Sequence, residues 1–172
     1  TIIADIELDH GGHVIRFPPG LAVDPGGLGK GLAADIVCHE LLRGGTGGAL
    51  VNIGGDLAAA GRAPTAGGWV VAVEDAFEPG AVILQFAVSE GGVATSSTLS
   101  RRWTQRGRAR HHLIDPRTRT TASTDLAAVT VVASTAWLAE AHATAALLEG
   151  SGGAIDYLDR HGLSGVCTTL DR

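Results

Sequence analysis

The chain holds a single lysine, Lys30, and places it in the glycine-rich turn Asp24-Pro25-Gly26-Gly27-Leu28-Gly29-Lys30-Gly31. Every other basic side chain is arginine. A lone ammonium beside exposed backbone amides at a helix start suits an anionic ligand such as phosphate. A solvated lysine in a helix-opening loop accounts for the same turn, which alone leaves the two readings level. Further along, Glu140 and Thr144 stand four apart in Ala139-Glu140-Ala141-His142-Ala143-Thr144, so on a helix they share one face a turn apart. A carboxylate and a hydroxyl are hard oxygen donors of the kind magnesium takes. A solvated glutamate and a threonine bonding its own helix backbone fit too, and spacing alone favours that plainer reading. His112, in His111-His112-Leu113-Ile114-Asp115-Pro116-Arg117, offers a general base or a ligand contact, or a structural ring.

Other chemistries are disfavoured. The residue after Lys30 is Gly31, so the hydroxyl that holds magnesium in an ATP-binding P-loop is missing, and the G-x-G-x-G spacing fails the dinucleotide fingerprint. Ser96 and Ser97 lie outside any G-x-S-x-G elbow. His10 and His13 read as a polar terminus rather than a metal site. Arg101, Arg102, Arg106, Arg108 and Arg110, with Trp103 among them, form the one basic cluster. It reads as a solvated hairpin connection, with nucleic-acid binding the alternative. A formal net charge of −5 argues against nucleic-acid or membrane-surface partners. No apolar run approaches the roughly 20 residues of a transmembrane helix. Cys38 and Cys167 lack metal or redox spacing; a single disulfide between them stays open, but Cys38 falls in an apolar helical stretch that suits a buried free thiol.

The elements that must position these residues are expected as follows. Residues 14–17 read as a strand stopped by Pro18-Pro19-Gly20. From Gly29 to Leu42 the apolar positions Leu32, Ile36, Ala33, Val37 and Leu41 recur at helical spacing and predict a buried face. Strands follow at 49–53, 69–73 and 81–88, the last two as an antiparallel pair, and Val93–Ser97 leads into the arginine segment. Leu126–Ala133 predicts a central strand, 135–149 and 154–160 two helices, and 166–170 a last strand. Strands and helices mix without strict alternation, so we expect an α+β fold of mixed or antiparallel sheets with packed helices, one domain over residues 1–172. The chain has no methionine and opens in Thr1-Ile2-Ile3-Ala4-Asp5, already strand-like, which suggests a removed upstream segment.

Taken together and in order, these motifs resemble the ApbE family, the FAD:protein FMN transferases once described as thiamine-biosynthesis lipoproteins. The turn at Asp24 resembles the family's Asp-Leu-Gly-Gly-Ile-Ala-Lys-Gly, and Val51-Asn52-Ile53-Gly54-Gly55-Asp56 its Val-Asn-x-Gly-Gly-Asp. Ala94-Thr95-Ser96, the stretch His112 to Thr118, Val129-Thr130-Val131 and Ala139-Glu140 through Thr144-Ala145 also fall in family order.

The resemblance implies that Asp24 and Lys30 contact FAD, with His112 and Leu113 beside the flavin nucleotide. It implies that the Gly27 carbonyl, Glu140 and Thr144 hold Mg2+. It further implies transfer of FMN from FAD to a threonine hydroxyl of an acceptor protein with release of AMP, with Lys30 adding charge at the pyrophosphate and His112 as candidate base. FAD hydrolysis with water as acceptor, or a non-catalytic flavin-binding module, are the alternatives. Glu140 stands where the family has Asp, one methylene longer, and Arg119 where it has Gly. The family's N-terminal segment, which brings other flavin contacts, has no counterpart in these residues. Members are commonly anchored outside the cytoplasmic membrane, so an extracytoplasmic, membrane-associated location is implied, with a cytoplasmic one the alternative if no signal exists upstream.

Overall fold

A computed structural model describes residues 5–171. The strand-like opening at 1–4 lies outside the described residues. Glu7–Asp9 (β1) and Val14–Arg16 (β2) form a small antiparallel hairpin, followed by helix Gly29–Arg43 (α1) and strands Gly48–Ile53 (β3) and Asp56–Gly61 (β4). Trp69–Glu74 (β5) and Val82–Val88 (β6) pair with each other, then Gly91–Ser97 (β7) precedes a short ribbon of Arg102–Gln105 (β8) and Arg108–His111 (β9). Ile114–Asp115 (β10) and Thr120–Thr121 (β11), Leu126–Ala133 (β12), helices Ala136–Glu149 (α2) and Ser151–Arg160 (α3) and Ser164–Thr169 (β13) complete the chain. The central sheet runs β13-β12-β7-β4-β3, with every neighbour antiparallel. The fold is therefore α+β, and β4 is a strand the sequence hid. Its Leu57-Ala58-Ala59-Ala60 carries no β-branched residue to mark it.

Period-2 alternation sorts β3 and β4 between two cores. Ala49, Val51, Ile53, Ala58 and Ala60 face Ala34 and Cys38 of α1. Leu50, Leu57 and Ala59 face the other way, onto Val71, Phe86 and Val88 of the β5–β6 hairpin. A third cluster packs Val129 and Val131 of β12 under Ala143, Ala146 and Leu147 of α2 and Leu158 of α3. Cys38 and Cys167 are both free, and Cys38 is buried.

Helix α1 corrects one expectation. Its buried residues are Gly31, Ala34 and Cys38, whereas Leu32, Ile36, Val37 and Leu41 remain exposed. The reason is distance. A Cβ on Gly31 would lie 2.4 Å from the Ala136 carbonyl oxygen, and one on Gly92 would lie 2.2 Å from the Ala136 Cα, so α1, α2 and β7 meet where only small residues fit. Close approach won over bulk, and the side chains that periodicity favoured were turned away from the sheet. Gly31→Ala should therefore force α1 off α2 at a cost of roughly 1–3 kcal/mol, as overpacking does. A Tm fall of several degrees in thermal unfolding is the expected result, and an unchanged Tm would show that the crossing is loose.

That close crossing lets each helix cap the other. Asp35 of α1 accepts hydrogen bonds from the Ala136 and Trp137 amides at the start of α2, at 2.9 and 3.0 Å. In return Glu140 of α2 accepts the Gly31 amide at the start of α1, Oε2 at 2.9 Å. Helix N-termini leave four amides without intrahelical acceptors, and a carboxylate there also meets the positive end of the helix dipole. Two carboxylates 105 positions apart in sequence thus fix one interhelical geometry.

Candidate active site

Lys30 sits in the first turn of α1 and reaches across to two carboxylates. Its Nζ is hydrogen bonded to Asp56 Oδ2, and Glu140 Oε1 lies 3.5 Å away. Asp56 is 1% exposed and Glu140 4%. The plainer reading of Glu140 as a solvated glutamate therefore gives way to a buried one. Burial pushes the Asp56 carboxyl pKa up, Lys30 pulls it back down, and the negative charge of Glu140 pushes it up again. One ammonium between two buried carboxylates leaves a net negative charge, with Asp56 Oδ1 buried and unpartnered among the described residues.

The loop before α1 is held by its own hydrogen bonds. Asp24 Oδ1 accepts the Gly26 amide at 2.8 Å, and the Pro25 carbonyl accepts the Leu28 and Gly29 amides at 3.0 and 2.7 Å. The β3–β4 turn stands opposite. Gly54 and Gly55 both take positive φ, 60° and 97°, and Asn52 Oδ1 accepts the Gly55 amide. A two-residue turn of that hand is what glycine permits and other side chains resist. It places Gly54 where a Cβ would meet the Lys30 side chain at 3.5 Å, and starts β4 with Asp56 buried.

These elements enclose a cleft of ≈ 580 Å³. Asp24, Gly27, Lys30, His112, Leu113, Glu140 and Thr144 all line it. Every site residue expected from the sequence thus stands on one cavity, although they come from the loop before α1, the first turn of α1, the end of the β8–β9 ribbon and helix α2. Thr144 Oγ1 is 2.8 Å from Ser96 Oγ, a hydrogen bond that leaves the threonine a free lone pair. His112 has a buried Nδ1 without a partner among the described residues. Burial first, then the charges of Arg101 and His111, hold its pKa below the ordinary histidine value. His10 and His13 are exposed on the β1–β2 turn and do not line the cleft. No group of three or more His, Cys, Asp or Glu with metal-site geometry occurs among the described residues. The oxygen set that the family resemblance assigns to a cation, Glu140, Thr144 and the Gly27 backbone, lines the cleft. It suits a hard cation, since each side chain keeps lone pairs beyond its present hydrogen bonds.

Sequence reasoning assigned no role to Asp56, Asp35 or Ser96. The one available signal for Asp56 was chemical: a lone lysine held near a helix start calls for a carboxylate, and Asp56 closes a glycine turn. Arg119 adopts a left-handed conformation, φ 57°, which accounts for glycine being usual at that place in the resembled family.

A five-stranded antiparallel sheet, two mutually capped helices and a cleft lined by lysine, histidine, carboxylate and hydroxyl groups define an α+β protein with a polar ligand cleft. The chain belongs to the ApbE family, whose profile matches residues 1–167. It is 29% identical over 160 residues to the FAD:protein FMN transferase of Salmonella typhimurium, covering 91% of this chain and 46% of that protein. It is 32% identical over 115 residues to the FAD:protein FMN transferase of Klebsiella pneumoniae, covering 66% of this chain and 34% of that one. Among solved structures, the ApbE protein of Thermotoga maritima superposes with a TM-score of 0.82 at 26% identity, over 95% of this chain and 54% of that one. The apo form of the Pseudomonas stutzeri flavinyl transferase ApbE gives 0.78 at 27% identity, over 97% and 51%. The chain thus spans about half the length, or less, of these relatives. No helix among the described residues is long and apolar enough to cross a membrane.

Proposed function

We propose that this chain carries the cation- and pyrophosphate-binding part of a flavin transferase that moves FMN from FAD to a threonine hydroxyl of an acceptor protein and releases AMP. The observation that carries the reading is the meeting of Lys30, His112, Glu140 and Thr144 on one cleft beside the N-terminus of α1. The names of the curated relatives support transfer of FMN from FAD to a protein. Lys30 and the helix start would meet the pyrophosphate once a bound cation offsets the net negative charge of Lys30, Asp56 and Glu140. Glu140, Thr144 and the Gly27 carbonyl would hold Mg2+, which as a Lewis acid offsets charge on the phosphoryl oxygens. His112 takes the proton of the acceptor hydroxyl as its oxygen bonds to the FMN phosphorus and the bond to AMP breaks.

The test is direct. FAD, Mg2+ and a threonine-bearing acceptor, incubated with a protein that contains this chain, should give a covalent FMN mass increment on the acceptor and equimolar AMP. AMP and free FMN without acceptor modification would assign the site to hydrolysis instead. FAD bound with neither product would make it a binding module.

His112 gives the reaction a pH signature. A base must be neutral, and its pKa lies below the ordinary value of about 6.5. The rate therefore stays level as pH falls through that value and drops only in more acidic buffer. Arg101→Ala removes the second-largest cause of the shift and should move the acidic limb of kcat/KM upward. A limb that stays put in that variant would remove His112 from the role.

A further inference from the structure

The ribbon β8–β9 is outside the machinery just described, yet both of its ends are part of the cleft wall. Ser100 and Arg101 enter it and His112 and Leu113 leave it, and all four line the cavity. Between them the two strands pair only with each other, with all of β8 and half of β9 exposed. Arg101, Arg102, Arg106 and Arg108 are exposed, Arg110 is half-buried, and among the described residues none of the five is in an ion pair. They stand on a chain whose formal net charge is −5, so the remaining surface is strongly acidic. Trp103 is 47% exposed, and strand alternation puts it on the same face as Arg108 and Arg110. Exposed Trp and Arg together are the composition of protein interfaces rather than of ordinary surface.

The turn adds a second observation. Arg106 and Gly107 close the ribbon with positive φ, 50° and 74°, the two-residue turn in which Asn-Gly or Asp-Gly is usual. An arginine there, and another at Arg101 with φ 48°, is held in a conformation that costs of order 1 kcal/mol. FAD does not account for these charges. Its only anionic part is the pyrophosphate, which the proposed site places at Lys30, whereas four-residue strands set the turn about 13 Å from their base.

We infer that the ribbon is the docking arm for the acceptor protein, and that it recognises an acidic segment flanking the target hydroxyl. This rests on the transferase reading of the cleft. Arginine forks pair with carboxylates, Trp103 gives an apolar anchor, and the acidic surface elsewhere repels the same segment, so approach is directed to the cleft mouth.

Two synthetic peptides test it, each with one threonine, one flanked by Asp and Glu and the other by Lys. Binding to the 172-residue chain is followed by fluorescence anisotropy in low and high salt. The acidic peptide should bind, lose affinity with salt, and bind at least about tenfold more weakly to Arg106→Glu/Arg108→Glu, with the Lys-flanked peptide preferred by that variant. Equal binding of both peptides to the wild type, an unaffected double variant, or displacement of the acidic peptide by a single-stranded oligonucleotide at lower concentration would overturn the inference. FAD binding measured in the same samples separates the two readings. Both substitutions are at exposed positions away from Lys30 and should leave it unchanged. A wild-type chain that binds the acidic peptide but no FAD counts against the cleft, not the ribbon.

Discussion

Lys30→Met should destabilise the protein by roughly 3 kcal/mol and abolish FAD binding. Removing one partner of a buried ion pair leaves the other charge uncompensated, a loss of about 3–5 kcal/mol, and the 32% exposure of the Lys30 side chain places it at the low end. The residue left behind is Asp56, 1% exposed and already raised in pKa by burial. Without Lys30 the opposing contribution disappears and its folded-state pKa rises further. The sign of the pH dependence follows. A carboxyl whose folded pKa lies above its unfolded value of about 3.9 binds more protons folded than unfolded between the two, so stability falls as pH rises through that window. The variant should be least compromised near pH 4 and weakest at neutral pH. Adding Asp56→Asn to Lys30→Met removes the stranded charge and should restore most of the stability without restoring FAD binding. Denaturant unfolding of the single and double variants at two pH values is the measurement. A double variant no more stable than Lys30→Met at neutral pH would mean that Asp56 is not what Lys30 neutralises.

Glu140→Gln should keep the fold and lose the chemistry. Glutamine retains an oxygen for the Gly31 amide, so the cap on α1 survives with about 1 kcal/mol lost at most. The negative charge that would hold Mg2+ does not survive. Lewis-acid stabilisation of several kcal/mol corresponds to about 10³-fold in rate, and transfer should fall by at least that much. Mn2+ binding followed by electron paramagnetic resonance should weaken in parallel. Glu140→Ala should lose the cap as well, adding a Tm drop that Glu140→Gln does not show. Full transfer by Glu140→Gln would refute its assignment as the cation carboxylate.

The two variants together separate the roles that Lys30, Asp56 and Glu140 combine. Asp56 serves the folded state by pairing with Lys30. Glu140 serves both, because one oxygen caps α1 and the other faces the ammonium. Placing a proposed cation ligand at a helix cap also ties cleft geometry to the crossing of α1 and α2. Substitutions at that crossing, Gly31 first, should therefore be felt at the active site.

What the sequence determined by itself was the local chemistry. The glycine turn before α1, the lone lysine, the four-residue spacing of Glu140 and Thr144 and the valine-rich β12 are short-range features, governed by backbone freedom, helix period and strand preference. Their order was enough to point to the family and to seven residues that the structure brings to one cleft. Tertiary structure alone decided the rest. The burial of small rather than bulky residues on α1 depends on how near Ala136 comes, which no periodicity reports. The partner of Lys30 lies 26 positions away and the acceptor for the Gly31 amide 109 positions away. Buried charges and helix ends impose a demand for partners that the sequence makes visible, but which carboxylate meets it is settled only when the sheet and the two helices close on one another.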